Sequence, residues 1–301
     1  MSLETDLFLD RRRLKRGIIL WRVVAVVALV VAALGVWGFS LPGGRHVAVL
    51  NVKGIIGNEE KLAEAVDDLA DDRQVAALMV VIDSPGGAVS GGEALHDAIA
   101  RVATRKPVVA VMQGLAASAG YMIAVPAQRI FARNATITGS IGVIMEAPEF
   151  SGLLDKLGID VQTLVSGPLK GQPSLSAPMT QAGQAALQSL LMDLYDQFVG
   201  MVAQGRHMSV ADVRTLADGR AYTGRQALPL HLIDAIGGQD EARAWLARAK
   251  DVPAGLPTET VQPRGRGPSF FGLHLGGLAN LLFSQRVTLD GAMALWQPAG
   301  L

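Results

Sequence analysis

Residues 75–87 read Val75-Ala76-Ala77-Leu78-Met79-Val80-Val81-Ile82-Asp83-Ser84-Pro85-Gly86-Gly87. The run 75–82 is apolar throughout, the composition of a strand covered on both faces. It ends in Asp83-Ser84-Pro85-Gly86-Gly87, a turn signal. Sheets of parallel strands place ligands at the carboxyl ends of those strands. Paired glycines also let bare N–H groups approach a developing negative charge, because no Cβ blocks the way. Taken alone, Pro-Gly-Gly is equally the signature of a plain turn.

Reading outward, His46-Val47-Ala48-Val49-Leu50-Asn51-Val52 predicts a strand, and residues 59–72 place Leu62, Val66, Leu69 and Ala70 on one helical face. With 75–82 these make one β-α-β unit. A second helix is expected from Gly91-Gly92, with Leu95, Ile99 and Val102 on one face, followed by a buried strand at 107–112. Such alternation implies an α/β fold. Further short strands are expected at 129–132, 141–144 and 160–165. Beyond Thr180 the pattern turns helical: Leu187, Leu190, Leu191, Leu194, Phe198 and Val202 form a stripe expected to face the core. Ser209 and Thr223 read as helix N-caps, and 239–250 as a last amphipathic helix.

The N-terminus carries a different signal. Residues 1–16 end in Arg11-Arg12-Arg13-Leu14-Lys15-Arg16, and 17–39 are apolar except for Arg22. About 20 apolar residues cross a bilayer as a helix, and Arg22 is near enough to the basic end to snorkel. Basic residues stay cytoplasmic, so the expected topology is N-terminus in and the bulk of the chain outside. A cleaved signal peptide would have a shorter apolar region ending in a small-x-small site, which Ser40-Leu41-Pro42 matches poorly. Pro42-Gly43-Gly44 reads as a linker to the domain expected over 46–250. In the C-terminal extension, 251–301, Pro263-Arg264-Gly265-Arg266-Gly267-Pro268 is a linker by composition, and 270–283 is apolar but too short to span. That segment fits a membrane-surface element, a cover for a neighbouring subunit or a loosely packed extension.

Composition narrows the function. The 27 basic and 27 acidic residues balance, so no overall field favours nucleic acid. The chain has no cysteine, which excludes a disulfide, a thiolate nucleophile and a zinc-thiolate site. No H-E-x-x-H or comparable pair suggests a catalytic metal, and no cofactor is expected. Chemistry therefore falls to oxygen and nitrogen side chains. In Gln113-Gly114-Leu115-Ala116-Ala117-Ser118-Ala119-Gly120-Tyr121 small residues surround one hydroxyl directly after a buried strand. At a helix N-terminus the Ala119 amide would stabilise an oxyanion alongside that of Gly87. The competing reading is an N-capping serine. Ser166-Gly167-Pro168-Leu169-Lys170-Gly171-Gln172-Pro173 is a loop with a lone lysine, which serves as a base only if desolvated and is otherwise simply solvated. His96 is the runner-up base, although its place inside a helix also suits a structural role.

Together, Asp83-Ser84-Pro85-Gly86-Gly87, Gly114 to Tyr121, Thr138-Gly139-Ser140-Ile141-Gly142-Val143 and Ser166 to Lys170 resemble the signal peptide peptidase A family in order and spacing. Ala217 to Ala227 and Leu232-Ile233-Asp234 resemble its C-terminal signature, so the likeness covers about residues 46 to 248. The resemblance implies a crotonase-like or Clp-protease-like fold of repeated β-β-α units, preceded here by one transmembrane helix. It also implies Ser118 as nucleophile, Lys170 as general base, and the Gly87 and Ala119 amides as oxyanion hole. The short form of the family, which this chain resembles, forms homo-oligomeric rings with the dyad shared between protomers. The implied substrates are signal-peptide remnants and other apolar or unfolded peptides. The implied location is the bacterial inner (plasma) membrane, with the catalytic domain periplasmic or extracytoplasmic. Alternatives are a related protease with a specific membrane-protein substrate, such as a stomatin partner, and an inactive crotonase-like peptide-binding scaffold. Two departures are visible: Ala177 precedes Pro178-Met179-Thr180 where the family often has Arg, and Asp83 stands where Asn is common.

Overall fold

The computed structural model describes residues 21–27, 44–263 and 293–295. The apolar run 75–82 lies within strand β2 (Val75–Ala88), between β1 (His46–Ile56) and β3 (Val108–Ala117), all three parallel. Side chains alternate across a strand, so β2 serves two cores. Leu78, Val80 and Ile82 join one with Leu95, Ile99, Tyr121 and Phe198; Ala77, Met79 and Val81 join the other with Phe131, Ala242 and Leu246. Cover on both faces is why the run carries no polar residue. Each large aliphatic chain so buried contributes about 1.5–3 kcal/mol.

Among the described residues the sheet has nine strands. Its order is β6 (Ala221–Thr223), β5 (Ile137–Gly139), β3, β2, β1, β8 (Thr258–Thr260). Strand β3 forks: Val109 to Met112 pair with β4 (Arg129–Ala132), whereas Leu115 to Ala117 pair with β5. Strand β4 also holds β7 (Ala235–Ile236), and β9 (Met293–Leu295) pairs with the end of β2.

Helices α1 (Glu60–Asp68) and α2 (Val89–Ala103) form where the periodicity places them, and α3 (Ala119–Ala124) follows β3. Strand β3 runs on to Ala117, so the helix expected in that segment begins only after Ser118. Expectations for two strands fail. Residues 160–165 form no strand, and at 141–144 there is only a single bridge, at Ile144. A strand needs a ladder partner. The free edge of β3 is taken instead by Ile137 to Gly139, which then pair antiparallel with β6.

After α4 (Ser151–Lys156) comes the long α5 (Gln181–Arg206), started by Thr180, whose hydroxyl accepts from the Gly183 N–H at 3.0 Å. The expected core stripe is only half a core stripe. Phe198 and Val202 are fully buried, but Leu190 is 47 % exposed and Leu187, Leu191 and Leu194 are partly so. The C-terminal half of α5 lies on the core and the N-terminal half leaves it. Helix α6 (Val210–Leu216) is capped by Ser209 and α7 (Gly224–Ala227) by a Thr223 capping box. Helix α8 (Gln239–Ala249) covers the second core.

Contacts divide the chain into residues 1–44 and 45–301. Of the expected anchor at 17–39, only residues 21–27 are described, and they are helical. The apolar segment 270–283 lies outside the described residues. Among the described residues no helix is long and apolar enough to cross a membrane.

Candidate active site

Strands β2 and β3 run together as far as the pair Ser84 and Ala116, and then part. On one side Gly86 and Gly87 stay with Ile55 and Ile56 of β1; on the other, β3 turns through Ser118 into α3. The glycine turn is fixed by Ser84, whose buried hydroxyl donates to the Gly54 carbonyl at 2.6 Å and accepts from the Gly86 N–H at 3.1 Å. Asp83 accepts from the Leu115 N–H at 3.1 Å, bridging the point where the ladder changes register. Gly87 cannot be replaced without movement, because a Cβ there would lie 2.0 Å from the Ile56 carbonyl oxygen, and its φ is +157°.

Ser118 is fully buried and has φ 54° and ψ −121°, a left-handed conformation in a residue with a Cβ. Such geometry costs about 1–3 kcal/mol and persists only where its surroundings impose it. Its N–H donates to the Gly139 carbonyl at 2.8 Å and its own carbonyl accepts from the Met122 N–H at 2.9 Å. The strained turn is therefore clamped between β5 and α3. The hydroxyl itself makes no cap bond to α3 and has no partner among the described residues. That rules out the plain capping reading. Leaving a buried hydroxyl unpaired costs about 1–3 kcal/mol. A strained strand-to-helix turn is also how α/β-hydrolase folds present a nucleophilic serine.

The two turns converge. A Cβ on Gly120 would be 3.0 Å from the Ser84 carbonyl oxygen, and one on Gly92 would be 3.0 Å from the Ala119 Cβ. The Ala119 N–H opens α3 and has no acceptor within its own helix. Ser118 and Ala119 thus follow the carboxyl end of β3, beside the Ser84 turn, and Gly87 lies at the carboxyl end of β2. Sequence reading missed the clamp. Gly139 holds the Ser118 amide, and the next residue, Ser140, is itself buried with φ 48°. The signal was the Thr138-Gly139-Ser140 motif, read there only as part of a resemblance.

Lys170 does not join this group within the chain. It is exposed on a turn in which its N–H donates to Gly167 at 3.1 Å and the Gln172 N–H donates to Leu169 at 3.2 Å. The turn is moored to the start of α5 by the Gln172 side-chain oxygen, which accepts from the Thr180 N–H at 3.2 Å. Around it, the segment from Ile144 to α5 exposes Phe150, Leu153, Leu157, Ile159, Val161 and Leu164, the last at 99 %. His96 lies in the middle of α2 with Nδ1 2.9 Å from the Asp97 carboxylate, and it does not bond to Ser118.

Residues 100–253 match Peptidase family S49. A Synechocystis protein provisionally named a protease is 36 % identical over 75 % of this chain and 81 % of its own length. An Enterococcus faecium protein provisionally named signal peptide peptidase SppA is 34 % identical over 69 % of this chain and 64 % of its own. Among solved structures, a point mutant of ClpP1 from Listeria monocytogenes is similar over 63 % of this chain and 91 % of its own, with 18 % identity and a TM-score of 0.42.

Proposed function

The chain belongs to peptidase family S49 and is a serine peptidase; from that premise we propose that Ser118 is its nucleophile and that Lys170 of a neighbouring copy is its general base. The observation that carries this reading is the Ser118 hydroxyl, buried, held in a strained turn and left without a partner among the described residues. The turn's cost and the unpaired hydroxyl make sense where a second chain completes the site. Lys170 stands out on an apolar arm that the described residues leave uncovered. Large exposed apolar patches mark interaction surfaces, and a head-to-tail contact of identical subunits closes into a ring when its rotation closes.

In the proposed reaction, the uncharged Lys170 amine takes the Ser118 proton as the hydroxyl oxygen attacks the peptide carbonyl. The Gly87 and Ala119 amides hold the oxyanion. The lysine returns the proton to the departing amine, leaving an acyl-serine. It then deprotonates a water that releases the acid and restores Ser118. The fold is read as crotonase or Clp-like, and the substrates as signal-peptide remnants and other apolar or unfolded peptides. The apolar segment 17–39 is the anchor, holding the catalytic domain at the outer face of the bacterial inner membrane.

Hydrolysis of an apolar peptide by the full chain in detergent tests the roles. Ser118→Ala and Lys170→Ala should each lower kcat by about a thousandfold or more. Two variants as active as the parent would remove the assignment.

A further inference from the structure

Strands β2 and β3 do not keep one register. Ile82 stands opposite Met112 and the next pair is Ser84 with Ala116, so Asp83 faces Gln113, Gly114 and Leu115 together. Over this stretch β3 takes four steps to the two of β2, an excess of two residues. Side chains alternate with a period of two, so such an excess keeps every later residue on its face and changes only its position along the strand. Counted from Met112 without the excess, Ser118 would come level with Ala88; counted from Ala116, it comes level with Gly86. The difference is about 6–7 Å of strand. Irregularities of this kind recur next to active sites. Here the excess sets where Ser118 stands against the glycine turn.

Polar bonds hold the excess from both sides. From β2 the Asp83 carboxylate reaches across and accepts from the Leu115 N–H at 3.1 Å. On the other side the Thr136 hydroxyl donates to the Gln113 carbonyl, and the Thr138 hydroxyl donates to the Ala116 carbonyl at 2.8 Å. Gly114 lets Asp83 come close, since a Cβ there would lie 3.3 Å from the carboxylate oxygen. Gln113 and Gly114 also border a cavity of about 360 Å³ shared with Arg133 and Thr136, so packing leaves them room to shift on that side. We propose that Asp83 is a positioning residue: by holding the two-residue excess of β3 it fixes how far along the glycine turn Ser118 stands. The inference rests on the reading of Ser118 as nucleophile. The role asks for an acceptor oxygen rather than a charge, and an Asn side chain offers one as well. Because Asp83 is exposed, truncating it removes the bond without opening a cavity in either core.

The test uses the full chain in detergent, with sites titrated to completion by a fluorophosphonate so that kcat is expressed per competent serine. Asp83→Ala should lower kcat about ten- to a hundredfold, the cost of a misplaced reacting group, and leave KM within about twofold. Asp83→Asn should stay within about threefold of the parental kcat. Asp83→Ser, whose hydroxyl falls one atom short of the carboxylate oxygen, should behave as Asp83→Ala and stands in for it if the alanine variant does not fold. A second measurement is independent of turnover: amide hydrogen exchange over residues 113–118 should quicken in Asp83→Ala and Asp83→Ser but not in Asp83→Asn. Parental kcat or parental exchange in the truncated variants, an equal loss in Asp83→Asn, or a loss confined to KM overturns the proposal. If Ser118→Ala abolishes hydrolysis while Asp83→Ala keeps the parental kcat, the nucleophile assignment survives and the positioning role does not. If Ser118→Ala retains full activity, both fall.

Discussion

The Tyr121 hydroxyl donates to the Leu232 carbonyl at 2.9 Å, across a core in which the phenol is fully buried. Tyr121 lies one helical turn beyond Ser118 in α3, and Leu232 opens the Leu232-Ile233-Asp234 motif. The bond thus ties the helix that carries the strained serine to a segment far along the chain.

Tyr121→Phe should cost about 1 kcal/mol. It should also change the alkaline limb of stability. Burial pushes the Tyr121 phenol well above its ordinary value, with a smaller opposing effect from Arg206. The folded state therefore holds the proton more tightly than the unfolded chain. The stabilisation is fully present below the unfolded value of about 10 and is lost as pH rises above it. Thermal unfolding at a series of pH values checks this: between about pH 9 and 11 the variant should lose less Tm than the parent.

Arg206 grips Asp234 with two bonds, 2.6 and 3.1 Å, and donates from Nε to the His231 carbonyl at 2.9 Å. Asp234 also accepts from the Ile130 N–H at 2.7 Å. The Arg206 side chain is only 7 % exposed. Arg206→Ala should destabilise by about 3 kcal/mol, because it leaves a partly buried carboxylate without its cation. Denaturant unfolding measures it.

Gly87→Ala should reduce kcat by about a hundredfold or more, since the Cβ clash at Ile56 displaces a proposed oxyanion donor. Gly57→Ala serves as a control. Nothing lies within 4 Å of a Cβ there, so its activity should match the parent. Steady-state kinetics with a Tm for each variant separates the two.

Leu157→Glu and Leu164→Glu place charge on the uncovered arm, where the leucines are 63 % and 99 % exposed. Both should shift the assembly toward monomers in sedimentation velocity and lower peptidase activity. The unfolding midpoint of the isolated chain should stay unchanged, because neither side chain belongs to the core.

The elements legible in the sequence were those whose pattern is local. The apolar 75–82 run, the faces of α1 and α2, and the caps Ser209 and Thr223 all form as the residues indicate. Where long-range pairing decides, the reading fails. Residues 160–165 have strand composition but find no ladder, and β5 forms at Ile137 because Leu115 is there to receive it. Leu190 has the spacing of a core residue, yet helical periodicity says only that a face is apolar, not which chain covers it. At the site, Ser118 was legible as a hydroxyl among small residues. Its left-handed φ was not, because that depends on the Gly139 carbonyl, a residue far along the chain.

Subunit mixing tests the sharing of Ser118 and Lys170 between copies most directly. Ser118→Ala and Lys170→Ala proteins, each inactive alone, are dissociated, combined in equal amounts and reassembled, with mixed assembly verified by differently tagged copies. If each site joins Ser118 of one chain to Lys170 of the next in a head-to-tail ring, random mixing restores about a quarter of parental activity. Mixed assemblies that stay as inactive as the separate variants would contradict the shared dyad.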